Sequence, residues 1–382
     1  MIYDYIFCGF GLSAMIVLDE LIEAGLTEGK SILILDHISE NSTDKTWCFW
    51  EEGQGKWDAV LRKTWHKAIF KNDGQSRDCL DGSMQYKMID AHKLRALLTH
   101  KISQKNVALK NETVISVEQR DNLGVVSTDC SSYYGHRIFS SIGIGEMPTS
   151  RHPLLLQHFV GWYIKTEESP FEADTAVLMD FSIAQQSATR FMYVLPLSDT
   201  ELLIEFTLFS PSVLQANEYE AEIRAYLQKN GIAHFEILDK ESGIIPMTTY
   251  PFWKRNTKNI LYIGTAGGWT KSATGYTFNN ANQKARRLGQ FLSTENPDFR
   301  QFHRTNRFYF YDRLFVKLLY SKNAIGYELF TSLFMKSSPR SVLRFLDEKS
   351  TYKEDLKVIL ACPKKPFLKI LLEIAFEAVR LR

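Results

Sequence analysis

No stretch of this sequence concentrates basic residues without acidic ones beside them; 46 Lys and Arg against 44 Asp and Glu leave a net charge of +2 over 382 residues. A nucleic-acid partner is therefore not expected, because phosphate backbones require a concentrated basic surface. No run of about 18 apolar residues occurs, so no segment is expected to span a bilayer. The amino terminus enters an apolar strand directly, without the basic region, apolar core and cleavage site of a secretory signal, so a cytoplasmic protein is expected. Cysteine is scarce. Cys8, Cys48, Cys79, Cys130 and Cys362 are widely spaced and odd in number, with no C-x-x-C pair, which suits a reducing compartment. The histidines show no ligand spacing, so no metal is expected, and no Ser-His-Asp or Cys-His constellation, internal repeat or low-complexity tract stands out.

Aromatic residues, by contrast, are abundant: 25 Phe and 17 Tyr bring them, with Trp, to 13% of the chain. Either the core is rich in rings, or some of them line a long apolar cavity or lie on a membrane surface. The clearest motif comes first. An apolar run, Tyr3 to Cys8, leads into Gly9-Phe10-Gly11-Leu12-Ser13-Ala14 and then a helical pattern. Gly9 suits a tight turn, Gly11 lets a pyrophosphate approach the backbone, and Ala14 lets helix and strand pack closely. A second apolar run, Ile32 to Leu35, ends in Asp36, where a ribose hydroxyl needs an acceptor. The helix N-terminus would face the phosphates. The alternative is a glycine turn that binds nothing.

Farther along, Asp44-Lys45-Thr46-Trp47-Cys48-Phe49-Trp50 places an aromatic cluster after a polar turn. Asp90 is a plausible N-cap for a helix carrying Leu94, Leu97 and Leu98, in which Arg95 is either solvated or directed at a diphosphate. Between residues 151 and 251 the pattern changes to longer alternating strands, as expected of an antiparallel sheet inserted into an α/β domain. A strand then runs into Gly264, Gly267 and Gly268, with Gly275 before the next helix, a second glycine turn suited to the other end of a dinucleotide. The division is thus 1–150 and 252–300 for a cofactor domain in two parts, 151–251 for an inserted sheet domain, and 301–382 for a helical region. In that last region basic, aromatic and apolar residues interleave, which suits either core packing or contact with a membrane interface.

Taken together, the motifs identify a resemblance to the flavin-dependent lycopene cyclases of the bacterial β-cyclase type, over nearly the whole length. It rests on the N-terminal strand-turn-helix, Asp44 to Phe49, Met179-Asp180-Phe181, Arg190 to Leu197, Leu203-Ile204-Glu205-Phe206-Thr207, Gly243-Ile244-Ile245-Pro246-Met247, Gly264 to Gly268, and Ala273-Thr274-Gly275-Tyr276. The resemblance implies a flavoprotein-hydroxylase-like fold, a Rossmann-like FAD-binding domain with an inserted substrate sheet, and FAD active in its reduced form with NAD(P)H as reductant. It also implies that linear ψ ends of lycopene are closed to rings, most simply β-rings, by an enzyme docked on the inner face of the membrane. The sequence departs from the family in two places. Phe206 stands where the family has a second acid, and Ser272-Ala273 where it has a proline.

Ring closure without net redox change needs a proton donor, stabilisation of a carbocation and a base. Glu205 is the expected donor, a carboxyl in an apolar strand whose pKa desolvation raises. Its alternative is an edge-strand glutamate facing solvent. Trp47, Phe49 and Trp50, with Phe206, are the expected substrate wall, ring faces being suited to a cation; simple packing is the competing role. Other readings remain: a flavin hydroxylase or isoprenoid reductase acting on a large apolar substrate, or a non-catalytic carotenoid- or flavin-binding protein.

Overall fold

The computed structural model describes residues 1–37, 45–143 and 152–380, together with the side chains as far as residue 376. The chain divides into two compact units, each assembled from three segments: 1–44, 90–152 and 250–307 in the first, and 45–89, 153–249 and 308–382 in the second.

In the first unit, β1 (Ile2–Cys8), helix α1 (Leu12–Glu23) and β2 (Ile32–Asp36) form a βαβ unit, with Ile6 of β1 opposite Leu33 of β2 in parallel register. The runs Tyr5 to Cys8 and Ile32 to Leu35 are buried throughout, the pattern of a parallel strand covered on both faces. Ser132–Ser140 lies on the other side of β1, also parallel; it pairs antiparallel with Leu123–Thr128, which in turn pairs antiparallel with Val114–Arg120. The short strand Ile260–Tyr262 joins Ser132–Ser140 in parallel, so the chain returns to this sheet after its excursion through the second unit. Ile6, Cys8, Leu33, Leu35, Val126, Ile138 and Ile260 share one core. α1 packs against the helix Phe278–Leu292.

Helix α2 (Ala91–Ile102) starts where the sequence places its cap: the Asp90 carboxylate accepts the Lys93 N–H at 3.0 Å, and Leu94 and Leu98 are fully buried. The cap satisfies a donor that has no partner inside the helix. Asp90→Ala should lower stability by about 1 kcal/mol, read from the midpoint and slope of urea unfolding.

The second unit is built on a seven-stranded sheet. Its spatial order is β6 (Glu236–Met247), β3 (Leu155–Lys165), β5 (Glu201–Ser210), β4 (Thr189–Pro196), then Thr175–Asp180, Lys67–Asn72 and Gln75–Asp78. All its pairings are antiparallel except that of Thr175–Asp180 with Lys67–Asn72. Trp47–Glu52, Met84–Ile89 and Leu61–Trp65 form a separate three-stranded sheet. Residues 45–89, which the sequence division leaves in the first part, thus pack with the second unit, because their strands pair there. Helix α3 (Ala216–Lys229) covers one face of the large sheet: Tyr219, Ile223, Tyr226 and Leu227 pack on Trp162, Met192, Val194, Ile204, Phe206 and Leu208. Among the described residues five further helices follow, including α4 (Tyr352–Ala361) and α5 (Lys364–Arg380). Among the described residues no helix is long and apolar enough to cross a membrane.

Candidate active site

β5 is an interior strand of the large sheet, lying between β3 and β4, so Glu205 is not the solvent-facing glutamate of an edge strand. It is buried, 8% exposed. Register fixes its neighbours. Tyr193 of β4 lies opposite Glu205 on one side and Gly161 of β3 on the other, and Gly161 is in turn opposite Glu241 of β6. Directly paired residues share a face, so the row Tyr193, Glu205, Gly161, Glu241 lies on one side of the sheet, away from α3. Strands two apart are separated by about 10 Å, which two glutamates can bridge only if nothing stands between them. Gly161 provides that gap: a Cβ there would come within 2.7 Å of the Glu205 Cγ and 3.2 Å of the Glu241 Cγ. With only hydrogen at Gly161, the two carboxyls come within reach of each other across the glycine.

Glu241 is also buried, 5% exposed, and is held by Thr46. The Thr46 hydroxyl lies 2.9 Å from each of its oxygens and the Thr46 N–H donates at 3.2 Å. The Tyr163 hydroxyl, 2.6 Å from that of Thr46, can donate to it and so complete a chain Tyr163 to Thr46 to Glu241. Burial, and then the neighbouring Glu241, raise the Glu205 pKa well above the ordinary 4.5. In an apolar surrounding the neutral acid avoids the cost of a desolvated charge and of facing a second carboxylate. Burial pushes the Cys48 thiol up to about 12, with both glutamates adding to the effect, and raises the Tyr163 phenol as well. Tyr86 and Tyr193 join hydroxyls at 2.7 Å beside Cys48. The geometry therefore sets a buried carboxyl whose pKa is raised beside a second carboxyl and a group of hydroxyls, an arrangement suited to holding a transferable proton.

The other residues of this region sort by strand alternation. In Trp47–Glu52, Thr46 and Cys48 reach the acid pair, so Trp50 belongs to that same face, while Trp47 and Phe49 point to the opposite one. Phe49 and Trp50 are buried and Trp47 is half-buried. Phe206 is not brought to Glu205. It points to the α3 side, fully buried, with its ring 6.1 Å from that of Tyr219 and the Arg190 guanidinium 4.8 Å away.

The first unit gathers the dinucleotide residues. Gly9 has φ +89°, a conformation costly for any other residue, and a Cβ on it would lie 2.3 Å from the Ser141 Oγ. Gly264 borders the same serine and sits near the Ser13 Oγ, so the two glycine turns meet. Gly11 is the N-cap of α1 without a side-chain cap, and a Cβ there would meet nothing within 4 Å. Ala14 is fully buried. At the end of β2, Asp36 lies 3.9 Å from the Arg95 guanidinium, which in turn stands over the Phe10 ring at 5.6 Å. An uncapped helix start with open space above it, and an acid and an arginine at the next strand end, fit a dinucleotide. Gly267 and Gly268 answer to the turn itself: a Cβ on Gly267 would sit 2.0 Å from the Tyr262 carbonyl oxygen, and Gly268 packs on Phe252. Gly275 has φ +73°.

Residues 4–372 match the model of the family described as lycopene cyclase protein. The chain belongs to that family. A lycopene beta-cyclase of Paracoccus sp. is 30% identical over 37% of this chain and 38% of its own length. A lycopene beta-cyclase of Pantoea ananas is 29% identical over 38% and 39%. The alignments thus span about two-fifths of these relatives. In fold the chain is similar to a mutant of the halogenase PltM in complex with FAD, at a TM-score of 0.61 and 11% identity over 96% of this chain and 87% of the other. The chain thus shares the fold of that halogenase, mixed α/β with a helical C-terminal part. In this family member Glu241, Gly161 and Thr46 are the site residues the sequence reading missed. A glycine inside an apolar strand, which often marks close approach, and an acid just ahead of the Gly243 to Met247 motif were the available signals.

Proposed function

We propose that this chain is a lycopene cyclase that closes the linear ψ ends of lycopene to β-rings, giving γ- and β-carotene, with reduced FAD as cofactor. The observation that carries the reading is Glu205, a buried carboxyl on an interior strand whose pKa burial and the neighbouring Glu241 raise. Glu205 donates its proton to a terminal alkene, forming a C–H bond and a tertiary cation. A neighbouring double bond supplies the electron pair that closes the ring, and loss of a proton from a ring carbon regenerates an alkene. The formula is unchanged, so no oxidant or reductant is consumed. Gly9, Gly11, Asp36 and Arg95 would hold the dinucleotide, with the Gly264 turn beside them. When bound, the reduced flavin supplies a negative charge that stabilises a cation, and NAD(P)H would be its reductant. Expression in cells that accumulate lycopene tests the proposal: an isomeric, cyclised pigment is expected, whereas a pigment of altered mass would point to an oxygenase or a reductase.

Such a substrate resides in lipid, and α4 with α5 offers the surface that would reach it. Leu356, Leu360, Leu368, Leu372 and Phe376 are 54–70% exposed. Lys353, Lys357, Lys364, Lys365 and Lys369 are exposed among them, while Glu354 and Glu373 are half-buried and Asp355 is buried. Apolar side chains flanked by charge of a single sign complement an anionic lipid surface and oppose self-association. The protein should co-sediment with vesicles containing anionic lipid and much less with neutral ones. Leu368→Asp with Leu372→Asp should weaken that binding at least about tenfold, since each removes an exposed apolar side chain whose burial in lipid is worth about 1.5 kcal/mol or more. Equal binding by this variant would place the docking surface elsewhere.

A further inference from the structure

We infer that Glu241 is the positioning partner of Glu205, the two carboxyls holding a single proton across Gly161 so that the donor stays loaded at neutral pH. The inference rests on the reading of Glu205 as donor and adds to it a residue that the family motif does not contain. Three independent features of the sheet support it. Gly161 is opposite both glutamates, and any larger residue there would intrude on both Cγ atoms. Thr46 gives its N–H and hydroxyl to Glu241 and not to Glu205, so the two members of the pair differ: donors mark Glu241 as the ionised one and leave the proton on Glu205. Both carboxyls are buried, so their interaction is not screened by water.

The consequence concerns the moment of transfer. Before it, the pair carries one negative charge. Once Glu205 has given up its proton, two carboxylates face each other, and the cation just formed on the substrate is the charge that compensates them. The ring loses one proton for each one it gains, and Glu205 is reloaded with protons in exchange with solvent before the next closure, so the cycle neither consumes nor releases protons overall. Glu241 acts through Glu205 throughout.

Among the described residues, the ionisable groups facing the pair are Cys48, Tyr86, Tyr163 and Tyr193. Cations nearby include Arg62, over the Tyr163 ring at 4.7 Å, and Lys45, whose Nζ donates to the Ser242 carbonyl at 2.7 Å. Burial raises both the Cys48 thiol and the Tyr163 phenol, so loss of activity on the alkaline side of neutrality reports the carboxyl pair and not these groups.

The test is the pH dependence of cyclisation by flavin-loaded protein acting on lycopene in vesicles, for the wild type, Glu241→Gln, Glu241→Asp and Thr46→Val. Glu241→Gln removes the like charge that raises the Glu205 pKa. The alkaline limb should therefore move to lower pH by at least about one unit, a tenfold loss of rate at a fixed pH on that limb. Glu241→Asp keeps the charge and should restore most of the limb. Thr46→Val removes a donor that stabilises the doubly ionised pair, so its limb should move the other way, to higher pH. Glu241→Gln and Thr46→Val that lower the rate equally at every pH would assign Glu241 a structural role and overturn the inference. A Glu205→Gln variant that remained active would instead overturn the reading on which it rests. Circular dichroism and flavin content establish that each variant compared is folded, and Thr46→Val keeps the inference testable should Glu241→Gln fail to fold.

Discussion

Glu205→Gln should abolish ring formation, lowering the rate by about 10²- to 10⁴-fold, the range in which general-acid catalysis contributes. Glutamine matches glutamate in shape and can still donate to Glu241, so the pair's contact and the packing around Gly161 survive. What disappears is a proton that can be transferred. Loss of activity should therefore come with unchanged flavin content and unchanged lycopene binding. Stability should move in the opposite direction from activity. Because the folded-state pKa of Glu205 is raised above 4.5, the folded protein binds more protons than the unfolded chain between that value and the raised one. Over that window stability falls as pH rises. A glutamine carries no such penalty, so the melting temperature of the variant should equal or exceed that of the wild type, and the gap should widen as pH is raised from 5 towards 9. A variant that melted lower throughout that range would show that Glu205 is structural.

The second large effect is expected at Gly11. Its backbone has φ −79° and ψ −175°, an ordinary N-cap conformation, and a side chain there meets nothing within 4 Å. Aspartate at an N-cap stabilises a helix by a few tenths of a kcal/mol relative to glycine. Gly11→Asp should therefore leave the fold intact or slightly more stable. The same carboxylate takes up the N–H groups of the first turn and sets a negative charge where a pyrophosphate would lie. Repulsion of about 3 kcal/mol at an effective dielectric constant near 20 corresponds to roughly 10²-fold weaker binding of a dinucleotide. Purified Gly11→Asp should emerge without flavin yet melt at or above the temperature of apo wild type. Full flavin content would place the cofactor's phosphates elsewhere, while loss of folding would mean that Gly11 serves the turn.

The contrast between Gly11 and Gly161 illustrates what was legible in the sequence. The βαβ unit could be read because its signals are contiguous: a buried run, a glycine turn, an uncapped helix, a second buried run and an acid. The Asp90 cap and the leucines behind it are equally local. Glu205 stood out because a carboxyl in an apolar strand is unusual. Its partner did not, since Glu241 meets it only through the order of β6, β3 and β5, and sheet order is a long-range property. The parallel pairing of Lys67–Asn72 with Thr175–Asp180 is non-local in the same way, which is why residues 45–89 went unrecognised as part of the second unit. Phe206 shows the opposite case. Adjacent residues in a strand point to opposite faces, so a residue next to Glu205 belongs on the α3 side whatever its identity, and the family motif drew attention to it for a reason unrelated to where its ring lies. The same alternation separates Trp50 from Trp47 and Phe49.

The central claim is that a carboxyl proton enters the substrate and the reaction leaves its oxidation state unchanged. Cyclisation in deuterated water, by purified protein loaded with reduced FAD and with lycopene supplied in vesicles, tests it most directly. The account predicts a carotene isomeric with lycopene except for one solvent-derived deuterium per ring closed, formed with no stoichiometric consumption of nicotinamide and absent with Glu205→Gln. A ring-containing product without deuterium, or a product of different formula formed as nicotinamide is consumed, would contradict it.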